Sequence, residues 1–199
     1  MNRISRTTLL LLAATAVAAT GAIMAFRRAA PAAYASAMTA DTTPIPAVGA
    51  KAPEFDLPSS TGKNIKLGDY AGKTVVVYFY PKADTPGCTT EACGFRDSAD
   101  EYRKAGVEVV GISPDPVEDV TKFAEKFQLN FPLLADADHM VCEAYGVWQQ
   151  KSMAGNTFMG AMRTTFVVGP DGRITHVFEK VKPAGHEKEV LDAIKAGRK

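Results

Sequence analysis

The sequence predicts one α/β domain, a mixed central sheet flanked by helices and opened by an N-terminal β-hairpin. Three observations predict it. Residues 73–80 (KTVVVYFY) and 107–112 are almost continuously β-branched, aromatic or apolar, as strands buried on both faces are. Each is followed by a segment whose apolar residues recur at intervals of three and four, the period of a helix face. Residues 164–168 and 174–178 flank Gly169-Pro170-Asp171-Gly172, which is turn chemistry between two strands.

Taken in chain order, residues 54–57 alternate polar and apolar, Pro58-Ser59-Ser60-Thr61-Gly62 supplies a turn, and residues 64–67 alternate again. This is a β-hairpin pattern. After the first buried strand, Ala92, Phe95, Ala99 and Tyr102 place a helix over residues 89–104. The second strand ends at Ser113-Pro114-Asp115-Pro116, and Val117, Val120, Phe123, Ala124 and Phe127 stripe a helix over 117–127. Residues 131–135 read as a short strand, 140–145 as a short helix and 187–196 as the closing helix. Phe123, Phe127, Phe131 and Trp148 read as core, Tyr78 and Phe79 as strand residues. Strand, helix, strand, helix, hairpin and terminal helix is a thioredoxin-like order.

Composition bounds the function. The chain has 199 residues, with 23 Lys plus Arg and 22 Asp plus Glu. Residues 1–37 hold four arginines and no acid, so the remaining 162 positions carry 19 basic and 22 acidic groups. A net charge of −3 on that part argues against nucleic acid, which demands a concentrated basic surface. Three cysteines exclude a disulfide scaffold.

The N-terminus reads as an address. Arg3 and Arg6 precede residues 7–26, twenty positions without a charge, led by Leu9-Leu10-Leu11-Leu12. As a helix this run would be roughly 30 Å long, the thickness of a bilayer's hydrocarbon core. The basic start, the apolar run and Ala35-Ser36-Ala37 (with Ala33-Tyr34-Ala35 behind it) follow a secretory signal peptide. The length of the run and the Arg27-Arg28 pair directly after it fit an uncleaved membrane anchor instead. Because that pair follows the run, it is not a twin-arginine signal. A buried helix of the domain is disfavoured, since no polar face is visible. Both leading readings predict export, to the periplasm or to a membrane facing it. Residues 38–47 then form a linker and residues 48–199 the domain.

The chemistry concentrates in Pro81-Lys82-Ala83-Asp84-Thr85-Pro86-Gly87-Cys88-Thr89-Thr90-Glu91-Ala92-Cys93. This segment begins where a buried strand ends, the place where reactive groups collect in open α/β sheets. Cys88 falls in the first helical turn, among backbone N–H groups with no intrahelical partner. Those donors and the positive end of the helix dipole favour a thiolate, the nucleophilic form. The competing reading is a buried cysteine acting as a small hydrophobe, and the Pro86-Gly87 turn before it counts against that. Cys93 follows at i+5, which on an ideal helix puts the two Cα atoms roughly 8.7 Å apart. Disulfide partners stand about 4.4–6.8 Å apart, so a bond between these two requires the first turns to unwind. Nor is the spacing the Cys-x-x-Cys of a thioredoxin-like dithiol.

The run Pro81-x-x-x-Thr85-x-x-Cys88 resembles the active-site signature of the peroxiredoxins. With a second cysteine five residues on, TPGCTTEAC is similar to their Q type, the bacterioferritin comigratory protein group. The resemblance runs from about Val48 to the C-terminus, and includes the hairpin GAKAPEFDLPSSTGKNIKL and Arg163-Thr164-Thr165-Phe166. It implies a thioredoxin-like fold and a thiol peroxidase, with Cys88 peroxidatic and Cys93 resolving through a Cys88–Cys93 disulfide. It implies that Thr85 hydrogen-bonds the thiolate and the peroxide, that Pro81 shields the site and that Arg163 completes the anion-stabilising set. The substrates implied are hydrogen peroxide and organic hydroperoxides, the electron donor thioredoxin or another dithiol, and no metal or organic cofactor is used. The leader is the departure from a typical cytoplasmic member. An intrachain cysteine pair permits a monomer.

Arg163 at the start of a strand is a permanent charge with several N–H donors in a rigid fork, suited to developing negative charge. Thr85 also suits a helix N-cap, and Glu91 reads as electrostatic support for the first turn. Cys142, three residues after His139, makes a three-cysteine, one-histidine zinc set conceivable with Cys88 and Cys93. That signal is weak, because the spacing exceeds the common finger spacing and a helix turns the two thiols apart. Cys142 otherwise reads as a half-buried helix residue, with a second resolving thiol as the rarer alternative. His176 and His186 carry no partner pattern, and Lys180, Lys182 and Lys195 read as solvated charge. A different class of function is an exported, membrane-tethered thiol chaperone or thiol-disulfide exchange module, which does not need Thr85 and Arg163 around Cys88.

Overall fold

The computed structural model describes residues 43–153 and 155–197. The leader expected over residues 1–37 and the first part of the linker lie outside the described residues. The described end of the linker is docked: Ile45 packs on the core. There the backbone of Thr43 to Ile45 crosses Gly146, whose φ is +67° and where a Cβ would stand 2.5 Å from the Thr43 carbonyl oxygen.

The expected hairpin is β1 (Asp56–Pro58) and β2 (Asn64–Lys66), paired antiparallel. The central run forms β3 (Thr74–Phe79), where side chains alternate between two apolar layers. Val75, Val77 and Phe79 enter one cluster with Phe55, Leu57, Tyr145 and Phe166. Val76, Tyr78 and Tyr80 enter the other with Phe95, Tyr102, Phe123 and Leu191. Burial on both faces is the physical reason the run lacks a polar face.

The helix expected over 89–104 starts three residues earlier and is broken. It is α1 (Pro86–Asp97) and α2 (Ala99–Lys104), meeting at Ser98. Pro86 starts α1 because its missing N–H is not needed in the first turn and its φ is preset for a helix. The bend at Ser98 accompanies a buried Tyr102 whose hydroxyl donates to the Glu187 carbonyl at 2.6 Å. Next come β4 (Val107–Ser113), α3 (Val117–Lys126), β5 (Leu133–Ala135) and α4 (Met140–Ala144). A second hairpin, β6 (Trp148–Met153) and β7 (Asn156–Ala161), has no counterpart in the sequence reading. Neither strand carries an alternating apolar signal, and β7 is exposed over its first four residues. The chain ends with β8 (Thr164–Val168), β9 (Ile174–Glu179) and α5 (His186–Ala196).

Among the described residues, the main sheet has the order β5-β4-β3-β8-β9. β3, β4 and β5 are parallel, while β8 runs antiparallel to β3 with Phe79 opposite Thr164. The start of β8 therefore lies beside the end of β3. This thioredoxin-like, mixed sheet is the architecture the pattern predicted.

The layer on the α1 side of the sheet is tightly packed at Gly111, opposite Tyr78 in the β3–β4 pairing. A Cβ at Gly111 would stand 2.6 Å from Tyr78 Cζ and 2.8 Å from Leu133 Cδ2, both on buried side chains. Gly111→Ala is therefore expected to cost about 1–3 kcal/mol by overpacking. Urea unfolding checks this, and an unchanged midpoint would mean the packed ring moves freely.

Candidate active site

Two strand ends converge at one end of the sheet. β3 delivers the segment from Tyr80 to Thr85, and α1 begins at Pro86 with Thr85 extended before it (φ −94°, ψ 153°). Because β8 is antiparallel to β3, Arg163 enters at the same end. Thr89 N donates to the Thr85 carbonyl at 2.8 Å, so the amides of Gly87 and Cys88 precede the helical ladder.

Cys88 is buried, with 1% of its surface exposed, and belongs to the α1 side of the core. Arg163 Nη2 donates to Cys88 Sγ at 3.2 Å, and Nη1 donates to Glu91 Oε2 in a buried ion pair. The Glu91 side chain is 0% exposed and that of Arg163 is 14% exposed. One guanidinium thus holds a sulfur and a carboxylate one helical turn apart.

Glu91 is only half satisfied, since Oε1 is buried with no hydrogen-bond partner among the described residues. Burial therefore pushes its carboxyl up to about 7, against the charge and hydrogen bond of Arg163. For Arg163 burial opposes the charge, but Glu91 and Cys88 more than offset it and its pKa moves up. Glu91 is thus a buried partner of Arg163 and not surface support for the first turn. The signal for it was a lone acid on the apolar stripe of Cys88, Ala92 and Phe95.

The other expected residues are placed as follows. Thr85 is the N-cap by backbone, but its hydroxyl donates to the Lys82 carbonyl at 3.0 Å and makes no capping bond. Pro81 is half-buried two residues after the end of β3. Cys93 is half-buried on α1 with a free thiol, as are Cys88 and Cys142 free. Gly87 lies between the Arg163 guanidinium and Pro183, each 3.4 Å from where its Cβ would be. Val181 N, in the loop with Pro183, donates to the Arg163 carbonyl at 3.2 Å. That loop did not stand out in the sequence, and Gly87 did so only as part of a turn.

Cys142 is fully buried, not half-buried, and packs in the layer opposite Cys88. Burial first, then the charge of Asp136, pushes its thiol far up, away from thiolate chemistry. His139 is half-buried, stacks on Trp148 at 4.3 Å and bonds Glu143 at 2.9 Å. Among the described residues, no group of three or more His, Cys, Asp or Glu could hold a metal ion. His186 has partners the sequence did not announce: Nε2 meets Thr165 Oγ1 and Nδ1 meets Glu189 Oε2, each at 2.9 Å.

Residues 48–177 match the AhpC/TSA family. The chain is 52% identical over 144 residues to peroxiredoxin Bcp of Escherichia coli, covering 72% of this chain and 92% of that protein. It is 40% identical to a solved Xanthomonas campestris bacterioferritin comigratory protein, described for its alkyl peroxide reduction activity. That match has a TM-score of 0.69 and covers 73% of this chain and 92% of the other. BcpB of Mycobacterium tuberculosis is 38% identical with a TM-score of 0.68, covering 76% and 98%.

These relatives correct the expectation of export. The E. coli relative is matched over 92% of its own length by 72% of this chain, and nothing in the likeness calls for a leader or tether. No described helix is long and apolar enough to cross a membrane. The expected periplasmic location and the tether expected through residues 7–26, which lie outside the described residues, are not supported by these relatives. The basic start, the charge-free run and the small-residue site after it look like an address by local composition alone.

Glu91 makes a pH prediction. Its folded pKa lies above the usual 4.5, so the folded state holds a proton that the unfolded chain releases. The resulting stability is present below pH 4.5 and lost as pH rises through about 7. Glu91→Gln should flatten that part of the stability profile, removing a fall of about 3 kcal/mol at most. Urea unfolding of both proteins from pH 4.5 to pH 8 measures it, and parallel profiles would refute the assignment.

Proposed function

The chain belongs to the AhpC/TSA family as a peroxiredoxin, and from that premise we propose how its peroxidase site works. Residues 48–199 form the catalytic domain, with Cys88 the peroxidatic cysteine and Cys93 the resolving one. The contact that carries this reading is Arg163 Nη2 on the buried Cys88 sulfur at the first turn of α1. A cation held on sulfur by two elements stabilises negative charge there.

The Cys88 thiolate attacks the distal oxygen of a hydroperoxide. An S–O bond forms as the O–O bond breaks, leaving Cys88 sulfenic acid and an alkoxide or hydroxide. The leaving oxygen takes a proton and departs as alcohol or water. Arg163 directs further N–H donors to the oxygens on which charge builds. Thr85 supplies a hydroxyl to the same oxygens, turning from the Lys82 carbonyl, and Pro81 shields the sulfur from water.

Cys93 then condenses with the sulfenic acid and releases water. On α1 the two thiols face different directions, so the first turns must unwind for the disulfide to close. Thioredoxin or a similar dithiol reopens the bond by exchange. The kinship to a protein with alkyl peroxide reduction activity supports organic hydroperoxides as substrates beside hydrogen peroxide. The competing thiol chaperone or exchange module has no use for a guanidinium fixed on Cys88 and is not favoured.

Cys93→Ser should keep one rapid peroxide turnover and lose thioredoxin-supported cycling. Steady-state peroxide consumption beside single-turnover mass spectrometry tests it, and full cycling in that variant would remove the resolving role. Arg163→Ala should slow the oxidation of Cys88 by about 100-fold, the scale of losing a transition-state donor. Stopped-flow measurement of peroxide reduction reads this directly.

A further inference from the structure

Lys151 stands near the site without any role in the cycle above. It lies on β6 opposite Phe158 of β7, yet its half-buried side chain reaches back along the hairpin to Ala161, where Nζ donates to the carbonyl oxygen. Its stem crosses Gly160, where a Cβ would stand 3.5 Å from Lys151 Cδ. Ala161 is two residues before Arg163. Each of the three residues leading into β8 thus has a backbone tie. Ala161 O accepts from Lys151, Met162 N donates to Val147 O at 2.8 Å, and Arg163 O accepts from Val181 N at 3.2 Å.

A lysine is a costly choice for such a tie. Burial lowers its pKa, the like charge of Arg163 lowers it further, and Cys88 and Cys142 pull the other way.

We propose that Lys151 is a positioning residue for Arg163, tying down through the Ala161 carbonyl the segment that carries it into β8. This rests on the role given to Arg163 in the peroxidase reaction.

The test is a double-mutant cycle on the rate constant for peroxide oxidation of Cys88, read by stopped flow in the full-length protein. Lys151→Met should slow the step about tenfold, and Lys151→Arg, which keeps donor and charge, should stay within about threefold of the parent. In the Arg163→Ala background, Lys151→Met should change the rate less than about twofold, because the group it positions is gone. Should Lys151→Met fail to fold, Lys151→Leu, which also lacks a donor, takes its place with the same expectations. A parent-like rate in the donor-free variant would overturn the proposal, as would an equal loss with and without Arg163. Arg163→Ala at the parental rate would sink the reading of Arg163 itself. A slow Arg163→Ala with a fast Lys151→Met would sink only the role of Lys151.

Discussion

The guanidinium of Arg163 is the joint on which the site depends. It bonds Cys88 and Glu91 on one helix from the start of a strand more than seventy residues away. Neither acceptor alone would fix it. The carboxylate supplies a buried anchor with a defined direction, and the sulfur then receives the donor that remains. Since both partners sit on one face of α1, the pair also registers that helix against the end of the sheet. Glu91 both orients the cation and competes for its charge. With one oxygen unpartnered and burial raising its pKa, the carboxylate has only a loose hold on its own charge near neutrality.

The same helix has to be held and, in the proposed cycle, released. Its anchors are unevenly placed. Phe95 is fully buried and stacks on Tyr78 at 4.9 Å. Arg96 Nη1 donates to the Phe127 carbonyl at 2.7 Å, and Asn130 Nδ2 donates to the Arg96 carbonyl at 3.3 Å. Before Phe95 the buried side chains are those of Cys88, Glu91 and Ala92, small or polar except for their contacts with Arg163. Withdrawing one alanine methyl from the core costs on the order of 1 kcal/mol, whereas a phenylalanine costs several. The segment from Pro86 to Gly94 can thus unwind while Phe95 stays, with its hold on the fold resting mainly on the guanidinium.

Much of this was legible from residue pattern. The strand and helix periods placed β3, β4, α3, β8, β9 and α5, and the Pro81–Cys93 segment stood out by its turn chemistry and its cysteine spacing. Less legible were features whose cause lies elsewhere in the chain. The break at Ser98 goes with Tyr102 reaching Glu187 across the fold. The β6–β7 hairpin leaves no alternating apolar signature. The leader misled for the opposite reason, since local composition without context has a simple reading that the relatives did not support.

The sequence by itself determined which segments are strands and helices, and that Cys88 opens a helix after a buried strand. Those are local matters of period, turn residues and backbone N–H groups left unpaired at a helix start. Only the tertiary structure decided that Arg163 reaches Cys88, that Glu91 is buried beneath it and that Cys142 lies in the other layer. The reason is that β8 runs antiparallel beside β3. The direction of that pairing brings the two strand ends together, and no residue near either cysteine encodes it.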